Sequence, residues 1–320
     1  MLLAVGAYGA WGLLTLYWPL LEPAGPLEIL AVRVIFSLLF ILLLLAWARD
    51  FGWVRPLLRD PRRRRLVILA SGLIAVNWGA FITAVISGQV LQSSFGYFIT
   101  PLVSTALGVL VLRERLRPVG WVAVGLGVLA VIVLGIGYGG LPWIALALAL
   151  SFGVYGLVKK QLGMAAAPSL AAETAVLLLP ALAFLTVLLL RGEASLIGEP
   201  TGPLTVLAPD TARLWHVTLM VGAGAVTALP LLMFTGAATR VPLSWLGPLS
   251  YLTPTIQFFL ALLLFDEAMS PARWWGFALV WVGLLLIAAD SWRRRRQRTR
   301  PAGRRSGRAG EHARADLGQR

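Results

Sequence analysis

The chain has 320 residues, 58% of them hydrophobic and 13% charged, with a mean hydropathy of +0.81. A water-soluble fold of this length cannot bury so much apolar surface, so a soluble enzyme or binding module is excluded. The net charge of +14 does not mark a nucleic-acid binder, because the tail after Asp290 holds eleven Arg against Glu311 and Asp316, placing +9 in the last thirty residues.

A run of about 20 apolar residues crosses roughly 30 Å of hydrocarbon at 1.5 Å per residue, and ten such runs can be read along the sequence. Span 1 covers 2–21 and ends at the breaker cluster from Glu22 to Pro26; span 2 covers 27–47. Span 1 has no basic segment before it, and the chain is expected to retain it. Seven Arg follow between Arg49 and Arg65, then spans 3 (66–86) and 4 (91–112) and the charged tip Arg113, Glu114, Arg115 and Arg117. Span 5 starts at Pro118, a residue suited to the first helical position because its missing N–H would be unpaired there. A glycine-rich turn from Gly135 leads to span 6 (141–158), which stops at Lys159 and Lys160. Spans 7 (169–190), 8 (214–236), 9 (243–265) and 10 (272–289) complete the membrane part, with the longest connection at 191–213.

The stretch from Ser94 to Trp121 returns 153 positions later: Thr100-Pro101 matches Thr253-Pro254, and Glu114, Pro118 and Trp121 match Glu267, Pro271 and Trp274. Eight of the 27 positions from 100 to 126 are identical to their partners. This is an internal duplication. Each copy holds an odd number of spans, five, so the second enters the membrane upside down, the arrangement of carriers that expose one midplane site to either side in turn. The predicted fold is therefore an all-α polytopic membrane protein of ten transmembrane helices in two inverted five-helix repeats, 1–138 and 139–290, followed by a basic disordered cytoplasmic tail, 291–320, drawn to anionic headgroups.

Pro101 and Pro254 are read as lying inside spans, where proline removes a backbone hydrogen bond; Thr100 and Thr253 beside them can re-satisfy freed groups, making each pair a packing bend or a hinge. Arg33, two turns into span 2, is expensive in hydrocarbon and points either to solute contact or to snorkelling towards Glu28. Glu173 is expected to pair with Lys159 or Lys160. Asn77 and Gln257 are interhelical hydrogen-bonding candidates. The aromatic candidates for a solute cavity are Tyr8 and Trp11, which share a helix face, Trp78, Tyr155, and above all Tyr97, Phe98 and Tyr251, which flank the Thr-Pro pairs. Such a cavity suits a neutral or weakly charged amphipathic solute, with Arg33 as an anchor for an anionic group.

With no Cys, two His (His216 and His312) and Lys only at 159 and 160, the sequence offers no disulfide, multi-histidine metal site, P-loop or His-dependent hydrolase. No catalytic residue, metal or cofactor is expected, and no nucleic-acid partner; the partners are a small-molecule solute and the lipid bilayer. The alternatives to a secondary transporter are a membrane scaffold or regulator, or a membrane-embedded enzyme acting on a lipid-like substrate.

The runs AYGAWGLLTLYWPLL from Ala7, EILAVRVIFS from Glu28, NWGAFITAV from Asn77, SFGYFITPLVSTALGVLVLRERL from Ser94, LALSFGVYGLVKK from Leu146, and VTALPLLMFTGAATRVPLSWLGPLSYLTPT from Val226 resemble the RarD-type carriers of the EamA group, in the drug/metabolite transporter superfamily. The resemblance covers about residues 1–290. It implies a ten-helix carrier of two inverted five-helix repeats in the bacterial inner membrane.

On this layout 24 basic residues fall in the loops and tail of one side and three, Arg191, Arg213 and Arg273, on the other. The positive-inside rule then places both termini and the Arg62–Arg65 loop in the cytoplasm. Reporter fusions at residue 195 and in the tail are expected to report opposite sides; a common side would overturn the layout.

Overall fold

The computed structural model describes residues 1–112, 118–197, 202–238 and 249–298. Its helices are α1 (Leu2–Tyr17), α2 (Pro26–Trp47), α3 (Val54–Arg59), α4 (Pro61–Ile86), α5 (Val90–Leu112), α6 (Pro118–Tyr138), α7 (Trp143–Leu162), α8 (Ala166–Arg191), α9 (Pro209–Ala238), α10 (Leu252–Leu263) and α11 (Pro271–Arg298). Among the described residues no strand occurs. Eight helices, α2, α4 to α9 and α11, are long and apolar enough to cross a membrane. Leu43, Leu110, Ile136, Leu179, Leu190 and Leu285 stand exposed on them, as lipid-facing side chains must. The protein is a multi-pass membrane protein.

The other two predicted spans are shorter than expected. α1 has 16 residues and is prolonged by a 3-10 turn, Trp18–Leu21, at the point where Pro19 enters. α10 has 12 residues; residues 243–248 of the predicted ninth span, like Glu114, lie outside the described residues. The connection after α2 contains the short helix α3, which the sequence reading left as loop. α4 starts five residues earlier than predicted, at Pro61, because Asp60 caps it: its Oδ1 accepts from the backbone N–H groups of Arg62 and Arg63 at 2.8 and 3.3 Å. α11 continues to Arg298, so residues 291–298, predicted as disordered tail, are helical. Residues 299–320 lie outside the described residues.

The helix pairings have a pattern. α1 packs on α9 and α10, and α7 packs on α4 and α5; α2 packs on α9 and α8 on α4; α2 meets α8, α5 meets α10 and α6 meets α11. Matching α1, α2, α4, α5, α6 to α7, α8, α9, α10, α11 in order returns the same set of pairs. Individual contacts match too. Gly12 of α1 lies against Ile256 of α10, and Gly153 of α7 against Val103 of α5. These glycines are each the eleventh residue of their helix, and Val103 and Ile256 are 153 positions apart. In the α6–α11 pair, Gly276 approaches the Ala130 carbonyl and Gly283 the Ala123 carbonyl, and the same 153-residue step exchanges the two contacts.

Lipid offers no hydrophobic drive between helices, so close backbone approach at small residues has to hold them. The tightest case is Gly224 of α9, where any Cβ would overlap the backbone of Phe36 and Ser37 in α2. Backbone cannot swing aside as a side-chain tip can. Gly224→Ala is therefore expected to lower unfolding stability of the detergent-purified protein by about 1–3 kcal/mol. Gly125→Ala, at a lipid-facing position of α6 with nothing near the added methyl, is expected to raise it by roughly 0.5–1 kcal/mol.

Candidate functional site

A charge carried into a span must find partners there or leave the helix, and four charged side chains in this fold meet that demand in different ways. Glu28, at the start of α2, accepts from the backbone N–H and Oγ of Ser195 at 2.8 and 2.9 Å, and His216 of α9 lies 3.1 Å from the same Oγ. The sequence reading offered Glu28 to Arg33, but Glu28 is committed to this cluster, which ties the loop after α8 to α2 and α9. No sequence pattern announces it, since its members lie far apart in the chain.

Glu173, on α8, is fully buried and has three donors. Lys159 Nζ and Tyr155 Oη each reach a carboxylate oxygen at 2.8 Å, and Ser169 Oγ donates at 2.7 Å. The expected pairing with Lys159 is present. Tyr155, a cavity candidate by sequence, is thereby held as a carboxylate partner.

Arg33 is 4% exposed and has no carboxylate partner among the described residues. Its guanidinium carbon lies 4.0 Å from the ring centre of Trp78 and 5.0 Å from that of Trp18, and both Nε and Nη1 lack a hydrogen-bond partner. The rings offer cation–π attraction, which covers guanidinium faces and leaves N–H edges unsatisfied. Arg33 has not snorkelled out. Tyr97 lies within electrostatic reach and donates to Asn77 Oδ1 at 3.2 Å, while Asn77 Nδ2 donates to the Leu148 carbonyl and Ser151 Oγ at 3.2 Å each. Asn77 thus joins α4, α5 and α7, as expected of an interhelical hydrogen bonder. Trp18 carried no role in the sequence reading; only the fold brings it beside Arg33.

The remaining candidates fall into two further neighbourhoods. Tyr8, Trp11 and Phe234 form a triangle with ring centres 5.6 to 5.8 Å apart. Phe98 stacks on Tyr251 at 6.4 Å and meets Phe277 and Trp281 edge-on, so it faces away from its neighbour Tyr97, which meets Phe81 and Phe152. Adjacent helical residues point about 100° apart. Gln257, the other interhelical hydrogen-bonding candidate, is buried, and its Oε1 has no partner among the described residues.

The two Thr-Pro pairs are not structural equals. Pro101 lies inside α5, and Thr100 donates to the Gly96 carbonyl at 3.0 Å. Pro254, expected inside a span, is instead in the first turn of α10: Leu249 is helical, Ser250 and Tyr251 form a turn, and the helix restarts at Leu252. There the chain breaks rather than bends. Thr253 donates across to the Tyr8 carbonyl of α1 at 2.7 Å, and the Pro254 carbonyl accepts from Ser94 of α5 at 2.8 Å. α8 and α9 carry internal prolines as well, Pro180 and Pro230, which the sequence reading passed over. The surface grooves lie elsewhere: one runs along Ile256, Phe259 and Leu263, the other between α4 and α7, and both have apolar, lipid-compatible walls.

Comparison with known proteins agrees with this architecture. Residues 1–136 match the EamA-like transporter family. The chain is 50% identical to Protein RarD of Streptomyces exfoliatus over 301 residues, covering 94% of this chain and 91% of that one. This chain is a RarD-type member of the EamA family. It is also 41% identical to an uncharacterized transporter of Pseudomonas aeruginosa, covering 93% of this chain and 96% of the relative. A crystal structure sharing 18% identity superposes with a TM-score of 0.54 over 91% of this chain and 97% of that one, a likeness of fold.

One more charge joins distant parts of this RarD-type transporter. Glu267, in the loop after α10, accepts from the backbone N–H groups of Val90 and Leu91, the latter at 3.1 and 3.2 Å to its two oxygens, and so caps α5 from another part of the chain. Burial raises its pKa to about 7, outweighing the opposing effect of those N–H groups and of Arg273. The folded state thus binds this proton more tightly than the unfolded chain does. The contribution to stability is complete below the ordinary carboxylate range and is lost as pH rises through about 7. Thermal midpoints taken from pH 5.5 to 8.5 are expected to fall with rising pH in the wild type and to flatten in Glu267→Gln; equal slopes would show that another group sets the dependence.

Proposed function

We propose that the chain is a secondary carrier of a small organic solute in the bacterial inner membrane, built of ten spans in two inverted five-helix repeats, 1–138 and 139–290, that work by alternating access. The observation that carries this reading is the exchange of contacts between halves: Gly12–Ile256 with Gly153–Val103, and Gly276–Ala130 with Gly283–Ala123. Two halves packed through equivalent contacts can trade conformations at little net energy, which an alternating carrier needs. The break before Thr253 and the proline inside the continuous α5 stand at matching sequence positions, and the backbone is interrupted at the first of them. Broken helices of this kind line solute sites in inverted-repeat carriers. The termini face the cytoplasm, and the Arg-rich tail sits against anionic headgroups. Membership in a transporter family supports transport over catalysis or scaffolding.

The reading is testable without knowing the solute, because the native chain has no cysteine and single thiols report access cleanly. Ser93, buried in the first turn of α5, and Thr174, buried on α8 towards the opposite end, both bond only to carbonyls of their own helix and tolerate replacement by Cys. Glu267→Ala removes the cap on α5, a charge-assisted bond worth about 1.5 kcal/mol or more, roughly tenfold in a two-state population. The expected result is faster labelling of Ser93→Cys by an impermeant reagent from outside and slower labelling of Thr174→Cys from inside. Parallel changes at both positions, or none at either, would count against alternation.

A further inference from the structure

The carrier reading leaves the solute's chemistry open, and the Arg33 neighbourhood narrows it. Arg33 and Glu173 are each the eighth residue of their helices, α2 and α8. Their neighbours correspond as well: Trp18 lies sixteen residues after Leu2, the first residue of α1, and Lys159 sixteen after Trp143, the first of α7. In one half this position holds a buried carboxylate supplied with donors from Lys159, Tyr155 and Ser169. In the other it holds a buried guanidinium whose Nε and Nη1 have no acceptor among the described residues. The architecture can complete a charge at this place and leaves one incomplete.

The groups around it are unsatisfied in the same sense. Trp18 Nε1, a donor with no accepting capacity, is buried without a partner among the described residues, as are Arg33 Nε and Nη1. One helical turn further along α2, on the same side as Arg33, the fully buried Ser37 hydroxyl also lacks a partner. Donors gathered in a buried place call for an anion rich in acceptor oxygens. Each one left bare costs about 1–3 kcal/mol, more for a charged group, so the set is unfavourable unless something fills it for part of its working life.

We propose that Arg33 is the seat for the carboxylate of an organic acid carried by this protein, with Trp18 Nε1 as a second donor and the Trp18 and Trp78 rings against the acid's apolar part. This rests on the carrier reading for what the site is for, but not for what it binds. A carboxylate takes a guanidinium edge through two parallel N–H···O bonds, and the edges are what stacking on Trp78 leaves open. One guanidinium balances one negative charge. A phosphate dianion would leave an excess charge in a buried site. Arg33 lies seven residues past Pro26, about 10 Å from the end of α2 at 1.5 Å per residue, inside the span rather than at its edge.

The experiment compares matched acids and amides, benzoate with benzamide and indole-3-acetate with indole-3-acetamide, and adds inorganic phosphate, all against detergent-purified full-length protein. Binding is read from the shift in thermal midpoint with concentration. Each acid is expected to bind at least about tenfold more tightly than its amide, and Arg33→Gln to abolish that preference. Trp18→Phe, which keeps a ring and removes the donor, is expected to cost several-fold in acid binding. Without any ligand, Arg33→Gln is expected to match or exceed the wild type in thermal midpoint, since it removes an uncompensated buried charge. A large fall in that midpoint would make Arg33 a structural cation and overturn the proposal. So would equal behaviour of acid and amide, including no binding by either, or tighter binding of phosphate than of the acids. Counterflow of a labelled acid in proteoliposomes then separates the two readings: binding lost in Arg33→Gln with no flux in the wild type keeps the acid site and rejects the carrier.

Discussion

Hydrocarbon offers the backbone no water, so every N–H and C=O in a span has to be satisfied by protein. Long helices meet this internally. The interruptions of the helix ladder are where the fold becomes specific. At Pro101 the neighbouring Thr100 turns its hydroxyl to the Gly96 carbonyl and α5 stays whole. At the 250–251 break the repairs come from other helices: Thr253 reaches the Tyr8 carbonyl, and Ser94 reaches the Pro254 carbonyl. These bonds string α1, α10 and α5 together through backbone rather than through side-chain packing alone. A solute drawn to that junction would meet polar groups already committed to each other, and motion there must exchange one set of partners for another.

Charge follows the same rule with larger energies. Desolvating an ion costs several kcal/mol even after relaxation, so a buried charge persists only beside good partners or for a purpose. Glu28 has Ser195, Glu267 has two backbone N–H groups, and Glu173 has a lysine, a tyrosine and a serine. Each of these carboxylates joins segments that are distant in the chain or on different helices. They act as fasteners at the two ends of the bundle. Arg33 has no such partner among the described residues: its recorded contacts are the Trp18 and Trp78 rings, which attract a cation without accepting from its N–H groups.

Much of this architecture was legible in the sequence because the membrane imposes one simple signal, the length of an apolar run. The spans at 27–47, 66–86 and 91–112 emerge within a few residues of α2, α4 and α5, and the departures have local causes. Asp60-Pro61 is a capping signal that moves the start of α4 into the arginine run. Arg293 to Arg296 read as tail by charge, yet nothing in that stretch breaks a helix and α11 runs through it to Arg298. The duplication was read from Thr-Pro, Pro and Trp recurring in register. What could not be read is tertiary. Tyr97 and Phe98 are neighbours in sequence and were taken together, but they face different helices. Trp18 read as one more apolar residue at the end of a span, because its importance depends on Arg33 coming to lie beside it. Ser195 drew no attention, and His216 only as one of two histidines, for the same reason: a hydrogen-bond cluster assembled from three segments leaves no trace in spacing.

Arg33 and Glu173 hold the same position in their helices, the eighth residue of α2 and of α8, and carry opposite charges. Here the position in α8 carries a carboxylate and its own set of donors, while the position in α2 carries a cation faced by rings. In the proposed inverted arrangement the two fall at opposite ends of the bundle. A completed polar cluster can hold one end together, while an incomplete one at the other leaves donors for a ligand to satisfy. Matched packing, seen in the Gly12 and Gly153 contacts, is what the proposed exchange of shapes between halves needs. Asymmetry in charge gives the two faces different chemistry, which a carrier requires if a solute is to be taken up on one side and released on the other.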